Sequence, residues 1–475
     1  MARSSAFSTL TKSIFSINDF LYLLQLQEYY NLRYFLDLPE FFWRRDLQQR
    51  QKLEVTSRIK LTKYATIGLM VLFAVIVTLL SINSGLRNFI FLIIPTTILI
   101  FALIPLWVGI VNLLLTPVYS YSHNRRRKLA AQKVAQNKDM QIIAIAGSFG
   151  KTTTKNFIEQ LIKHSFRIQM IPGNINTPTG IATWINKNLA DNTQILIVEM
   201  DTYNSGEIAA SCKIAPPDIA LLTTVGDQHL LRFGSRRNLA LALLEIYRDA
   251  KSNAKRIVSQ QLITELESLG VDYSQVLPAQ SRVLIDLDQP LVYQQTQLQL
   301  TQTFSSSTKA NLAHALKVAE LLNIPVQFIQ DSLQHLALPE RRQSVVELFG
   351  FSVIDDSYNL SPTTARMGLA YAKQLATEQS KKLLVITAGI PELGIENLQA
   401  NYDYGADLAA SADQLVLLQS ILISDITDGL AAHGYTQQSI ISASRMSEAW
   451  ELIQANFKPN EYLILMQPEL NDLYY

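Results

Sequence analysis

Six uncharged residues, Gln141 to Ala146 (QIIAIA), run without interruption into Gly147-Ser148-Phe149-Gly150-Lys151-Thr152-Thr153-Thr154. This junction constrains the fold more than any other stretch of the chain. An apolar run of that length reads as a buried strand. After the turn, Phe157, Ile158, Leu161 and Ile162 mark one face of a helix. Strand, glycine turn and helix in that order form a phosphate cradle. Gly147 and Gly150 let backbone N–H groups close on phosphate oxygens, and the helix N-terminus adds the positive end of its dipole. Lys151 is then placed for the β- and γ-phosphates of ATP and the Thr152 hydroxyl for Mg2+, with Ser148 and Thr153 completing the ATP-binding run. Ile145 stands where the longer form of this motif has a glycine, so the match is to G-x-x-G-K-T.

Two further apolar runs supply acids. Ile195 to Val198 (ILIV) leads into Glu199, and Asp218 to Val225 (DIALLTTV) leads to Asp227 and His229. In a parallel sheet the ends of such strands open on one edge, where ligands bind. Glu199 and His229 are therefore expected to converge on Mg2+ beside Thr152. That makes Thr152, Glu199 and His229 the metal set, and Lys151, Glu199 and His229 the catalytic set. His229 or Asp227 is a candidate general base.

Upstream the chain changes character. Tyr64 to Asn83 carries no charge, and after Ser84-Gly85-Leu86-Arg87 a second uncharged stretch runs from Asn88 to Ser122. Each is long enough to cross ~30 Å of hydrocarbon as a helix. Pro95, Pro105 and Pro117 predict a kink or a shortened span in the second. Arg58, Lys60 and Lys63 precede the first stretch, Arg125 to Lys128 follow the second, and only Arg87 lies between them. The positive-inside rule then places both flanks in the cytoplasm. The expectation is a two-helix hairpin in the inner membrane, multi-pass, with the remaining chain cytoplasmic. Phe20 to Leu38 reads either as a helix lying on the membrane surface or as an ordinary docking helix.

The 475 residues suffice for about three units. With Lys+Arg 41 against Asp+Glu 40, net charge makes no case for a nucleic-acid partner. The single cysteine, Cys212, rules out an intramolecular disulfide and a cysteine-rich zinc site. Beyond the phosphate cradle, a polar-alternating stretch from Val283 to Phe304 reads as antiparallel strands, and Lys309 to Leu322 as a helix. Strands are expected at 352–355, 383–387, 414–418 and 462–466, alternating with helices such as 363–377 and 447–457. The fold class is therefore α/β: a P-loop central domain with a mostly parallel sheet, then a Rossmann-like C-terminal domain, preceded by the hairpin. The boundaries read as 1–60 juxtamembrane, 61–122 hairpin, 123–337 central and 338–475 C-terminal.

GSFGKTTTK, GNINTPTG (Gly173 to Gly180), EMDTYNSGEI (Glu199 to Ile208), PPDIALLTTVGDQHLLRFGS (Pro216 to Ser235) and VIDDSYNLSP (Val353 to Pro362) follow one another in the order seen in Mur ligases. The resemblance covers roughly Gln141 to Gly394. Within that family it is nearest to members that add a D-alanyl-D-alanine dipeptide to a UDP-muramoyl peptide. It implies ATP-dependent amide formation through an acyl phosphate, in peptidoglycan precursor synthesis. It further implies that Asn311 touches the nucleotide, Arg341 reaches the phosphates, and Asp356 holds the ribose. Asn174, Asn176 and Thr177 fall in the substrate-side loop, and Tyr358 and Asn359 share the loop of Asp356. The implied partners are a peptidoglycan-precursor-like acyl acceptor, an amino acid or dipeptide donor, and other wall-synthesis proteins at the membrane.

The sequence departs from the family pattern in several places. The family lysine of A-K-x-E-I, carbamylated in several members and used for a second metal, is replaced by Leu243. P-G-R becomes Pro339-Glu340-Arg341, so the backbone there is expected to do without positive φ. Ser361 stands where an asparagine is usual. The first domain that grips the UDP end is replaced by the hairpin, so the acceptor is expected at the membrane or in the grip of another protein. Two other readings stay open: a ligase for another polymer such as poly-γ-glutamate, and a nucleotide-binding scaffold that has lost catalysis.

Overall fold

A computed structural model describes residues 16–43, 53–81, 86–173, 175–227, 230–287, 289–300 and 304–470. His229 and Asn174, two of the expected site residues, lie outside the described residues. The chain divides into two compact units, one ending at Asn124 and one spanning Arg125–Leu470.

The first unit is helical: α1 (Ile17–Leu26), α2 (Asn31–Trp43), α3 (Ser57–Ser81), α4 (Leu86–Ala102) and the opening part of α5 (Ile104–Gln136). The stretch from Phe20 is two helices rather than one. Glu28 and Tyr29 sit between them at φ 50° and 64°, a left-handed turn that ends α1. It is a docking pair: Phe20, Leu21, Leu23 and Leu24 are buried in a cluster with Tyr34, Ile59, Ile104 and Val108. Tyr34 donates to the Pro105 carbonyl at 2.8 Å. Arg58 donates to Asn112 Oδ1 at 2.9 Å, and its guanidinium lies 3.9 Å from the Tyr29 ring centroid. Asn112 in turn donates to the Tyr29 carbonyl at 3.0 Å, so the buried polar groups hold the turn onto α3 and α5.

α3 and α5 are long and apolar enough to cross a membrane. Val71, Leu72, Leu79, Leu80, Ile94 and Ile98 stand exposed on this unit. The second uncharged stretch is not one straight helix, since α4 and α5 meet at Leu103, two residues before Pro105. Proline removes one backbone donor and crowds the preceding turn, which accounts for the break. Trp107 N–H still reaches the Leu103 carbonyl at 3.0 Å across it.

In the second unit, β1 (Gln141–Ala146), β2 (Ile168–Met170), β3 (Ile195–Glu199), β4 (Ile219–Leu222), β5 (Lys255–Ser259) and β6 (Arg282–Ile285) form a parallel sheet in the order β2-β3-β1-β4-β5-β6. β1 is central and buried on both faces, as its unbroken apolar run requires. Its register sets Ile145 beside Glu199 and Ala146 beside Leu222. The segments after β1, β3 and β4 therefore open side by side. The expected antiparallel strands over 283–304 reduce to one short hairpin, β7 (Val292–Tyr293) and β8 (Thr296–Gln297). β6 instead extends the parallel sheet, because Val283 and Ile285 find partners in Ile257 and Ser259.

A second sheet runs β13-β12-β11-β14-β10-β9, built from β9 (Ser344–Leu348), β10 (Phe351–Asp355), β11 (Lys382–Thr387), β12 (Gln414–Leu418), β13 (Ile440–Ala443) and β14 (Tyr462–Met466). All its pairs are parallel except β9 with β10. That hairpin closes through Phe349 and Gly350 at φ 50° and 80°, the doubly left-handed turn that tight hairpins favour. The helix Pro362–Glu378 starts from Ser361, whose hydroxyl accepts from Thr364 N–H in a capping box. The serine that departs from the family pattern thus has a structural role at this position.

Candidate functional site

The glycine turn connects β1 to α6 (Lys151–Ile162). Gly147 has φ 139° and Gly150 φ 83°. A Cβ at Gly147 would lie 2.1 Å from Thr223 Oγ1, and one at Gly150 would lie 2.2 Å from Asn311 Oδ1. Both positions need glycine for conformation and for space. The end of β4 braces the turn. Ser148 N–H donates to the Thr224 carbonyl at 3.0 Å, Thr223 Oγ1 donates to the Phe149 carbonyl at 2.6 Å, and Gly226 N–H donates to Ser148 Oγ at 2.8 Å. Asn311, on the helix Ser306–Leu321, accepts from the Thr154 hydroxyl at 3.3 Å, which sets it over the turn.

Four buried charges meet beside this turn. Lys151 Nζ donates to the Gly147 and Ser148 carbonyls at 2.5 and 3.3 Å and lies 3.3 Å from Asp201 Oδ2. Thr152 Oγ1 donates to Glu199 Oε2 at 2.9 Å. Lys155 Nζ lies 3.0 Å from the same Oε2 and donates to the Ile171 and Gly173 carbonyls at 3.1 and 3.0 Å. Asn176 Nδ2 bridges Glu199 Oε1 and Asp201 Oδ2, each at 3.3 Å. Burial alone would raise the Glu199 carboxyl, but the Lys155 and Lys151 ammonium groups and the Lys155 and Thr152 hydrogen bonds outweigh it. The group is held below its ordinary range.

The second sheet sends its own residues to the same place. Arg342 Nη2 donates to Thr152 Oγ1 at 3.1 Å, and its guanidinium lies 3.8 Å from the Tyr358 ring centroid. The residue singled out beforehand, Arg341, turns to the Ser357 hydroxyl and carbonyl at 3.0 and 2.9 Å. The backbone here does not dispense with positive φ. It is carried by Arg341 at 61° and Gln343 at 58° rather than by a glycine. Asp356 is buried, accepts from Gln343 Nε2 at 3.4 Å and has its carboxyl pushed up to about 7 by burial, against the pull of Gln343 and Arg342. Asn359 Oδ1 accepts from Leu360 N–H at 2.9 Å. Thr177 caps α7 (Pro178–Asn188), accepting from Gly180 N–H at 3.3 Å.

The structure thus brings Gly147, Ser148, Gly150, Lys151, Thr152, Thr153, Asn176, Glu199 and Asn311 around one turn. Asp227, a candidate base, is buried and paired with Arg236. Lys155, Asp201 and Arg342 went unnoticed in the sequence. Lys155 had a signal, since it lies one helical turn beyond Lys151 and so shares its face. A hydroxyl and an ionised carboxylate 2.9 Å apart at a phosphate cradle are the donor types Mg2+ takes alongside nucleotide oxygens, so Thr152 and Glu199 fit one such ion. Among the described residues no group of three or more His, Cys, Asp or Glu is gathered for a metal. Leu243 lies in the apolar core, and two residues on Glu245 accepts from Gly206 and Ala209 N–H at 2.8 and 3.0 Å, capping α8 (Glu207–Ile214).

Residues 145–272 match the Mur ligase middle domain. The chain is 26% identical over 276 residues to the UDP-N-acetylmuramoyl-tripeptide--D-alanyl-D-alanine ligase of Rickettsia prowazekii, covering 54% of this chain and 61% of that protein. It is 25% identical over 334 residues to the Bacillus subtilis enzyme of the same name, covering 68% and 72%. In fold it is similar to the crystal structure of MurF ligase from Thermotoga maritima in complex with ADP, with TM-score 0.62, 22% identity, and 73% and 80% of the two chains covered. The same holds for MurF from Acinetobacter baumannii, with TM-score 0.61, 23% identity, and 73% and 77% covered.

Proposed function

We propose that this chain, which belongs to the Mur ligase family, is an ATP-dependent ligase that joins an amine to a carboxylate as an amide. The carrying observation is the meeting of Lys151, Thr152, Glu199 and Arg342 at one glycine turn. A substrate carboxylate oxygen attacks the γ-phosphorus of ATP, ADP leaves, and an acyl phosphate forms. The amine then attacks the acyl carbon, loses a proton, and phosphate departs with the former carboxylate oxygen. Lys151 swings from the turn carbonyls to the β- and γ-phosphates, and Arg342 balances charge on the transferring group. Mg2+, held by Thr152 and Glu199, supplies further charge neutralisation when bound. Asn311 lines the nucleotide and Asp356 its ribose. Asn176 and Thr177 belong to the acceptor side, with Asn174 in the same segment, and Tyr358 and Asn359, in the loop of Asp356, contribute to substrate binding. His229 joins the metal set.

The substrates we favour are a peptidoglycan precursor peptide and a dipeptide amine, as named for the relatives. The first unit holds the protein in the inner membrane, with the ligase unit in the cytoplasm. Phosphate release from ATP by detergent-purified full-length protein tests the reading. Release that requires both UDP-muramoyl tripeptide and D-alanyl-D-alanine, and is lost in Lys151→Ala, supports it. ATP binding without release under any substrate pair would leave the scaffold reading, which the apolar Leu243 position favours.

A further inference from the structure

We propose that Asp201 is a positioning residue that competes with the nucleotide phosphates for Lys151: it holds the ammonium of that lysine on the empty turn and weakens nucleotide binding by the pair that must be broken. The inference deepens the nucleotide-site reading above and rests on it.

Lys151 has no donor to spare. An ammonium carries three N–H donors, and Lys151 has three acceptors: the Gly147 and Ser148 carbonyls at 2.5 and 3.3 Å and Asp201 Oδ2 at 3.3 Å. The side chains of Lys151 and Asp201 are only 7% and 10% exposed. A pair so closed to water is costly to separate, because the partner left behind is a buried charge without compensation. The ammonium cannot turn to a phosphate without breaking one or more of these contacts. The two carbonyls are neutral and lose little, but Asp201 and the phosphates are both anionic and claim the same cation.

The surroundings offer Asp201 no substitute. Its Oδ1 accepts from Thr202 N–H at 3.0 Å and its Oδ2 from Asn176 Nδ2 at 3.3 Å, both neutral donors. Lys155, the other ammonium of the cluster, lies 3.0 Å from Glu199 Oε2 and spends its remaining donors on the Ile171 and Gly173 carbonyls. Among the described residues Lys151 is the one ion-pair partner of Asp201. Nucleotide arrival therefore takes the counter-charge from a buried carboxylate, and nucleotide departure restores it. Asp201 thus sets how tightly the turn holds phosphate and returns Lys151 to the turn carbonyls when the phosphates leave.

The test measures the Kd of a non-hydrolysable ATP analogue in the presence of Mg2+, and the melting temperature with and without that analogue, on full-length protein in detergent. Asp201→Asn keeps the size of the side chain and removes its charge. Its Kd is expected to fall about tenfold. Its melting temperature should drop below wild type in the empty protein and match or exceed wild type in the saturated one. Weaker or unchanged binding would overturn the inference. Tighter binding with no loss of stability in the empty protein would overturn it too, since that is the mark of a nearby negative charge repelling phosphate rather than of a pair that must break. Loss of stability in both states would assign Asp201 to the scaffold and also reject the inference. No binding of the analogue by wild-type protein would instead overturn the nucleotide-site reading itself.

Discussion

The Arg342 guanidinium donates to the Thr152 hydroxyl at 3.1 Å, joining the strand-preceding segment of the second sheet to the first turn of the P-loop helix. Neighbouring Arg341 is held by Ser357 instead. Arg342→Ala is therefore expected to lower kcat for ATP-dependent phosphate release by about 10²-fold, the scale of losing one preorganised donor to developing charge. Arg341→Ala should cost far less. Steady-state kinetics on both variants check this, and an equal or reversed loss would reassign the arginine.

Gly150 is left-handed at φ 83° and faces Asn311 Oδ1. Gly150→Ala is expected to destabilise the fold by about 1–2 kcal/mol from backbone strain alone and to abolish nucleotide binding. Asn311→Gly, which opens space above the turn, should recover part of the stability. Urea denaturation and nucleotide titration read both effects. Wild-type affinity in Gly150→Ala would show that the turn does not hold phosphate.

Asp356 ionises near 3.8 when unperturbed and at about 7 in the folded protein. The folded state therefore holds the proton more tightly, and the stability it lends is fully present below pH 4 and lost as pH rises through 7. Asp356→Asn, measured without nucleotide, should be more stable than wild type at pH 8 by on the order of a few kcal/mol and show little difference at pH 4. Thermal melts across that range test the sign. A deficit of stability at pH 8 would mean that the charged carboxylate is the favoured native form.

Glu245 receives three donors at the start of α8. Glu245→Ala should cost about 1–3 kcal/mol, since it leaves buried N–H groups without an acceptor. Glu245→Gln should cost less. If Glu245→Ala instead lowers nucleotide or metal affinity with no loss of stability, the residue belongs to the site rather than to its scaffold.

Cys212 is buried, so a cysteine introduced elsewhere can be labelled selectively. Ser84→Cys is expected to react with an impermeant maleimide added outside intact cells, and a cysteine at Ser122 only after permeabilisation. Labelling of both from outside would reject the proposed hairpin orientation.

Much of the site was legible because its determinants are local. The glycine turn after QIIAIA, the strand ending in Glu199 and the serine before Pro362 each act within a few residues, through backbone geometry and period. Arg342 was not legible, since Pro339-Glu340-Arg341-Arg342 offers two arginines and only folding decides which one turns to Thr152. Lys155 shares a helix face with Lys151 in the sequence, but that spacing alone does not say what it meets. Its burial follows from two carbonyls sixteen and eighteen residues away and a carboxylate on another strand. The helix break near Pro105 was expected from proline chemistry, while docking of α1 and α2 stood as one of two readings, because an amphipathic helix carries the same pattern whether lipid or protein covers its apolar face.

By itself, the sequence determined the strands that lead into the phosphate turn and Glu199, four strands of the second sheet, the central phosphate turn, and two uncharged segments long enough to span a bilayer. Those rest on periodicity, glycine conformation and the absence of charge, all properties of neighbouring residues. The tertiary structure decided which charges face one another: Lys155 and Thr152 on Glu199, Lys151 on Asp201, Arg342 rather than Arg341 on Thr152, and Leu243 in the core. Such pairings depend on strand register and on packing between distant segments, and no local pattern in the chain records them.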